Sequence, residues 1–308
     1  MKISVVIPLY NKSQTILRAV ASVERQKMLP VEILVINDGS TDGSEKLVES
    51  LKDEKIRVIS QPNTGVSAAR NKGIHEASCE WIAFLDADDE WEEDFLEIIG
   101  EMYHKHQQYH VFATAYYSGN FKGEKRKIKL QKLLFSGRYG VMSNYFEVAS
   151  YSSPPICSSA VCIRKSELKK IGGFPTGYKA GEDLLTWARL AARKSPVYCI
   201  EPKAVFWKEK SHTYEDIPKR IPEINDPVGQ ALIELKKESG SLYLEKYIAL
   251  WFKMRASIYL RMNMRYHAFG DALKSLKYNP FNIRVFAYLL LCGMPNSIVQ
   301  RMFRNFGE

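Results

Sequence analysis

In the first hundred residues, short apolar runs alternate with amphipathic helical stretches, an order that few folds accept. The runs are Ile3 to Pro8, Glu32 to Asn37, Arg57 to Ser60 and Trp81 to Leu85. Helical patterns follow from about Ser13, after Asp42, over roughly Val66 to Ala77 and over roughly Trp91 to His106. Alternation of this kind builds a sheet of parallel strands with crossover helices on its faces. The expected fold is therefore α/β, with a Rossmann-like, doubly wound, mainly parallel sheet and a helical C-terminal extension. In such a sheet each strand delivers the residues after it to one carboxyl edge, where ligands bind.

The fourth run leads directly into Asp86-Ala87-Asp88-Asp89. Two aspartates one residue apart repel in a dry site unless a cation neutralises them, so Asp86 and Asp88 are candidate ligands of a divalent metal. Hard oxygen donors favour Mg2+ or Mn2+, ions that keep places open for waters and substrate phosphates. Asp89 with Glu92 has the spacing of a capping box, which assigns Asp89 to the start of the next helix. After the first run, Pro8 is expected to end the ladder, and Tyr10 offers an aromatic face to a flat ligand. After the second, Gly39 permits a tight turn and Asp38 can accept hydrogen bonds from a base or ribose. After the third, Asn63-Thr64-Gly65 opens a helix whose free amides favour anions, with Arg70 two turns in. Each feature alone has a plain structural alternative: a packed tyrosine, an Asp-Gly turn, a partly buried salt bridge at Arg70.

Together these segments resemble the nucleotide-sugar-binding half of glycosyltransferase family 2, inverting enzymes of the GT-A fold. The resemblance runs from about Lys2 to Ser211, roughly two thirds of the chain. It is carried by Val5-Val6-Ile7-Pro8-Leu9-Tyr10-Asn11, Asn37-Asp38-Gly39-Ser40-Thr41-Asp42, Gly65-Val66-Ser67-Ala68-Ala69-Arg70-Asn71 and Phe84-Leu85-Asp86-Ala87-Asp88-Asp89. Gly172-Gly173-Phe174 followed by Gly181-Glu182-Asp183-Leu184 matches the family's acceptor-side motif. The resemblance implies that Tyr10 and Asp38 hold the nucleobase and ribose, that Arg70 helps hold the nucleotide, and that Asp86 and Asp88 hold nucleotide and metal. Pro8, Asn11 and Ala87 would line the same nucleotide-sugar site. Asn37 stands where many members carry a second aspartate, and Lys208 where an arginine is often found. Lys208 or Lys210 would offset diphosphate charge as a point donor, not a bidentate fork. His212, just beyond, reads as an ordinary surface residue.

A member of that family moves a sugar from a nucleotide donor, here expected to be a UDP-sugar, to an acceptor hydroxyl. The transition state has oxocarbenium character, and a base must take the hydroxyl's proton. The family pattern favours Asp183 as base, with Glu182 orienting the acceptor or sharing the role. Acidic residues in a helix's first turn are also simply stabilised by its dipole, which should lower their pKa. Two other chemistries compete. An aspartate-nucleophile phosphatase places D-x-D after a strand, but normally the first one and followed by threonine, whereas Asp88 is followed by Asp89-Glu90. A dinucleotide oxidoreductase needs a glycine fingerprint where this chain has Pro8-Leu9-Tyr10-Asn11. A non-catalytic basic protein binding membrane or nucleic acid would explain the tail, but not the convergence of Asp38, Arg70, Asp86 and Asp88.

Between about Ser118 and Lys179 regularity fails, and the basic stretch from Lys122 to Lys132 suits acceptor binding or a solvated surface. From Asn225 onward the pattern is helical, with Tyr247, Trp251, Met254, Ile258 and Met262 on one apolar stripe and Arg255 pointing elsewhere. These shifts divide the chain into a catalytic domain at 1–215 and a basic helical region at 216–308. Of the formal charge of +9, Ser241 to Glu308 carry +7, from ten Lys and Arg against three Asp and Glu. Val285 to Met294 is apolar but far short of the roughly 20 residues that span a bilayer. It is either a buried core helix or a contact with an anionic membrane surface, for which its basic surroundings argue. Nucleic acid is not an expected partner. The opening apolar run is too short for a secretory signal, and five cysteines without a C-x-x-C pair read as free thiols in a reducing compartment. The expected location is the cytoplasm, peripheral on the inner membrane face, where a glycan or lipid-linked saccharide would be the acceptor in surface glycan assembly.

Overall fold

The computed structural model describes residues 1–208 and 220–305. Strands β1 (Ile3–Leu9), β2 (Glu32–Asn37), β3 (Ile56–Ser60) and β4 (Trp81–Phe84) lie in the order β3-β2-β1-β4, every neighbour parallel. Helices α1 (Ile16–Glu24), α2 (Ser44–Glu49) and α3 (Val66–Glu76) make the crossovers. β1, β2 and β4 are buried along their whole length, which is why they read as unbroken apolar runs and not as alternating ones. In α3, Gly73 lets the helix lie against β1: a Cβ there would stand 2.3 Å from Cγ1 of Val6.

The chain winds outward from β1 to β3 and then returns with β4 on the far side of β1. The direction of winding therefore switches between β1 and β4, and the crevice beyond their carboxyl ends is the favoured ligand position in an open α/β sheet. Pro8 does not end the ladder as expected, since β1 continues to Leu9 and Pro8 stays in register with Ile36. The reason lies in the alternation of bonding sides. Val6 O accepts from Leu85 N on the β4 side, and Pro8, two residues on, faces that side just where β4 has ended. Its missing N–H is thus not needed.

Past β4 the sheet becomes mixed. It contains β5 (Glu90–Trp91), β6 (Val111–Gly119), β7 (Lys125–Lys127), β8 (Tyr139–Val141), β9 (Val161–Arg164) and β10 (Val197–Trp207), with the path continuing β4-β9-β6-β10-β5. β9 is antiparallel to both neighbours, while β6 and β10 are parallel. Four helices accompany these strands: α4 (Phe95–Lys105), α5 (Tyr145–Tyr151), α6 (Lys165–Lys170) and α7 (Glu182–Arg193). The region expected to be irregular thus supplies β9, a central strand too short to announce itself in sequence. The helix expected from Trp91 begins instead at Phe95, because Glu90 and Trp91 pair with β10.

Five more helices follow: α8 (Pro227–Ser239), α9 (Leu244–Arg261), α10 (Arg265–Tyr278), α11 (Ile283–Cys292) and α12 (Asn296–Asn305). The expected domain boundary at 215/216 lies outside the described residues. On the described side, Val228, Leu232, Tyr247, Trp251 and Phe252 share the core of the sheet, whereas Ala256 onward packs with α10 to α12 in smaller clusters. The expected stripe on α9 is shifted: Tyr247 and Trp251 are buried, but Met254 is 39% exposed and Arg255 is buried in its place. Arg255 donates from Nε to Asp271 Oδ2 (2.7 Å) and from Nη1 to Asp226 Oδ1 (3.0 Å) and Glu223 O (2.8 Å). A buried guanidinium needs such partners, and periodicity of apolar residues cannot reveal them. Among the described residues no helix is long and apolar enough to cross a membrane, and the five cysteines are free.

Candidate active site

The loops after β1 and β2 are stitched together before any ligand is considered. Asn11, in the left-handed region at φ 50°, accepts from Thr41 N (2.8 Å) through Oδ1, and its own amide donates to Ser40 Oγ (3.1 Å). Asp42 accepts from Ser13 N (2.8 Å) and Ser44 N (3.0 Å). Asn37 spends its side chain on Ser40 N, Glu45 and Ser60, so the residue standing in place of a second aspartate shapes the turn. Tyr10 is 49% exposed and keeps an open ring at the crevice. Asp38 lies in the loop after β2. It is buried, with Oδ1 accepting from Gln61 Nε2 (2.7 Å) and Thr64 N (3.0 Å) and Oδ2 from Gly65 N (2.8 Å). These bonds hold the loop that leads into α3.

Asp86 and Asp88 project from the loop after β4, with Ala87 buried in the core between them. Ser159, from a 3-10 turn at Ser158–Ala160, sets the shape of this loop. Its Oγ accepts from Asp86 N (3.0 Å) and donates to Asp89 Oδ2 (2.5 Å). Asp89 does not cap α4. It is fully buried, its Oδ1 accepts from Trp207 N (2.9 Å), and burial together with Asp86 and Asp88 pushes its carboxyl well above the usual range. Asp89 therefore fastens the acidic loop to the end of β10. Ser159 was absent from the residues expected at the site, because nothing in a Ser-Ser-Ala stretch marks a partner about 70 residues away.

Asp86 and Asp88 each face a different cation. Arg70 donates from Nη2 to Asp86 Oδ1 (2.7 Å), and Lys12 Nζ lies 2.7 Å from Asp88 Oδ2. The carbonyl of Asp88 also accepts from Arg18 Nη2. Arg70 is 4% exposed, and its Nε and Nη1 are buried without a hydrogen-bond partner among the described residues. Its guanidinium lies 5.1 Å from the ring centroid of Phe174, whose N–H and C=O are both bonded to the side chain of Asn71 at 2.8 Å. The Gly172-Gly173-Phe174 segment is thus docked on α3 through the residue next to Arg70. Burial opposes the charge on Arg70, but Asp86 outweighs it, with Glu182 and Asp183 adding to the same effect.

Glu182 and Asp183 open α7. Gly181 adopts φ 84°, and a Cβ there would stand 2.6 Å from the ring of Trp251, so the turn is compatible with glycine and with α9 lying close against it. Glu182 is buried, its Oε1 accepting from Arg220 Nη1 (2.8 Å) while Oε2 has no partner among the described residues. Asp183 Oδ1 accepts from Leu184 N (2.7 Å). Contrary to the expectation from the helix dipole, the Asp183 carboxyl is pushed up, by burial first and by Glu182 second. Arg70, the Leu184 amide and Arg220 offset this only in part. Tyr247 of α9 donates to Leu184 O (3.1 Å), tying the C-terminal helices to this turn.

A cleft of about 880 Å³ opens on the Lys12 side of Asp88, between Thr15, Arg18, Phe121, Trp207 and Lys208. Trp207 is flanked by Arg18 and Lys125, whose charged ends lie 5.3 and 5.6 Å from its ring. The cleft brings Lys208 to the same mouth as Asp88. Lys210 and His212 lie outside the described residues. No group of three or more His, Cys, Asp or Glu able to enclose a metal occurs among the described residues.

Residues 4–166, just over half of the chain, match the family described as Glycosyl transferase family 2. The chain belongs to this family. The family match covers the loops of Tyr10, Asp38, Arg70 and Asp86 to Asp88, and stops short of Glu182 and Asp183. Among curated proteins, an uncharacterised glycosyltransferase of Rickettsia conorii is 33% identical over 196 residues, 63% of this chain and 31% of the relative. The glycosyltransferase GlyA of Streptococcus pneumoniae is 27% identical over 271 residues, 82% of this chain and 37% of that protein. The chain thus spans about a third of the length of these relatives. The first 349 residues of S. aureus TarS, crystallised with UDP-GlcNAc, superpose with a TM-score of 0.68 over 99% of this chain and 91% of that one, at 17% identity. At that identity the likeness establishes the fold, a GT-A arrangement with a mostly parallel sheet and added C-terminal helices.

Proposed function

We propose that this chain transfers a sugar, with inversion, from a nucleotide donor to an acceptor hydroxyl. The observation that carries the reading is the position of Arg70: one buried guanidinium is bonded to Asp86 and lies within electrostatic reach of Glu182 and Asp183. Through it the carboxylates of the sheet edge and those of the α7 turn belong to one site. Tyr10 offers its exposed face to the base, Asn11 and Asp38 hold the loops on either side of it, and the idle Nε and Nη1 of Arg70 suit an anion such as a diphosphate. A UDP-sugar is the proposed donor, since TarS structures contain UDP-GlcNAc and UDP.

In the transfer, the acceptor oxygen bonds to the anomeric carbon as the bond from that carbon to the diphosphate breaks and its electron pair leaves with the phosphate. The acceptor's proton passes to Asp183, whose raised pKa suits a base better than an ordinary aspartate would. Glu182, held by Arg220, orients the acceptor. Lys12, Arg18 and Lys208 surround the departing charge with cations.

The residues present fit a divalent metal held in the magnesium manner, by one or two carboxylates with substrate phosphates completing the shell. Asp86 and Asp88 each bond a cation through one oxygen, Arg70 and Lys12 respectively, and a metal at Asp88 would compete with Lys12. When bound, Mg2+ or Mn2+ would neutralise charge on the diphosphate. The proposed setting is the assembly of surface glycans on a glycan or lipid-linked saccharide acceptor, at the inner face of a membrane.

The test is thermal unfolding with nucleoside diphosphates in the presence of Mn2+, followed by donor hydrolysis across a panel of nucleotide sugars. A ligand that binds only the native state must raise the melting temperature. A rise with UDP is expected, and no rise with any nucleotide would remove the proposal.

A further inference from the structure

Helices α10 and α11 both pack against α9 and leave their opposite sides bare. On α10, Ala268, Ala272 and Ser275 turn inward, whereas Tyr266 (94% exposed), Phe269 and Leu273 face out. On α11, Val285 and Leu291 are buried, whereas Ile283 (82% exposed), Phe286 and Leu290 (69% exposed) face out, with Phe281 bare in the connection before them. The apolar run from Val285 to Met294 is therefore neither wholly a core helix nor a span. Apolar faces of this extent are uncommon on a surface without a partner.

Charge selects the partner. Between Met262 and Asn305 the sequence holds one carboxylate, Asp271, which is buried and bonded to Arg255 and Lys274. Lys277, Arg284 and Arg301 are exposed on the same segment, and Arg284 is near enough to Lys253 to help lower its pKa, after burial. A segment with an apolar face, exposed cations and no exposed carboxylate of its own would repel a second copy of itself. It also offers too much hydrocarbon for a phosphate backbone. It is suited to the boundary between anionic headgroups and acyl chains.

We infer that the outer faces of α10 and α11 rest on an anionic lipid surface. Ile283, Phe286 and Leu290 enter the acyl boundary, and Lys277 and Arg284 meet the headgroups. This gives the membrane location in the proposed function a defined surface, and because its readout is vesicle binding, its failure would leave the sugar-transfer reading standing.

The experiment is flotation of the whole chain with vesicles of phosphatidylcholine alone or with roughly a third phosphatidylglycerol. The wild type should float with the anionic vesicles and stay behind with the neutral ones. The variant I283S/F286S/L290S should lose binding by tenfold or more, and K277E/R284E by about fivefold for each cation removed. Since all five side chains are exposed, both variants should keep the wild-type melting temperature and donor hydrolysis. Absence of flotation, equal flotation with neutral vesicles, or unchanged flotation of the serine variant would overturn the inference. So would a concentration-dependent dimer that the serine variant abolishes while lipid binding persists.

Discussion

Arg70 meets Asp86 through a single hydrogen bond of 2.7 Å and holds two further buried donors, Nε and Nη1, that bond to nothing among the described residues. A buried donor without an acceptor costs about 1–3 kcal/mol, so Arg70 keeps two unmet donor atoms beside the acidic loop. An incoming anion would relieve that cost. Lysine at position 70 preserves the charge but not those planar donors. In R70K, UDP affinity measured calorimetrically with Mn2+ should fall by roughly tenfold to a hundredfold, the worth of one or two charge-assisted hydrogen bonds. Unchanged affinity would mean that the idle donors do not face the nucleotide.

Lys12 occupies the cation position at Asp88, at 2.7 Å, where a metal would compete with it. Both side chains are a little over a quarter exposed, so the pair is worth at most about 1 kcal/mol. Lys12→Ala should therefore lower the Mn2+ concentration at half-maximal UDP stabilisation by up to about fivefold. A midpoint that stays in place would show that Lys12 does not compete for that carboxylate.

Asp89 joins two places far apart in sequence, Ser159 and the Trp207 amide, 70 and 118 residues away. Asp89→Ala removes both bonds and leaves buried polar groups unmet, at about 1–3 kcal/mol for each. Asparagine can still accept from the Trp207 amide, so Asp89→Asn should retain most of the stability. Melting curves of the two variants should separate them clearly, and equal curves would refute this role.

How much of this could be read beforehand depends on distance along the chain. The strand runs and the loops after them are local patterns, so the sheet edge, Tyr10, Arg70 and the Asp86 to Asp88 loop were legible. Pairings across long separations were not. Asp89 looked like a cap because Glu92 is near in sequence, while the partners that actually hold it come from elements still unfolded in any local view. Asp38 was legible as an acceptor, but not its bonds to Gln61, Thr64 and Gly65. β9 is a short run among turn residues, and its place between β4 and β6 is a tertiary fact. The dipole argument for Asp183 failed for a similar reason. It counted the helix and left out the burial and the neighbouring Glu182, which push the carboxyl up.

Arg255 illustrates the cost of such hidden pairing. It is buried between Asp226 and Asp271. Its removal would leave Asp226 without its cation and Asp271 with Lys274 at 3.4 Å, and breaking such a buried pair costs roughly 3–5 kcal/mol. Arg255→Ala should unfold the C-terminal helices well before the sheet, seen as an early loss of helical signal while UDP still stabilises the remainder. A single unshifted transition would contradict that separation.

The raised pKa of Asp183 has a definite sign in activity and in stability. As a base, Asp183 works ionised, so kcat/KM should fall as pH drops through a value above the ordinary aspartate range of about 4. Glu182 is the second cause of the rise, after burial. Neutralising it in Glu182→Gln should therefore move this acid limb to lower pH, besides any loss from a misoriented acceptor. Asp183→Asn should lose about a hundredfold or more in turnover with donor affinity intact. In stability, the folded protein binds this proton more tightly than the unfolded chain. The contribution is present below the unfolded pKa and is lost as pH rises through the folded one. Asparagine has no proton to lose, so the melting temperature of Asp183→Asn should gain on that of the wild type as pH rises through the same window. A limb that stays at an ordinary aspartate value in Glu182→Gln and wild type alike would place the base elsewhere.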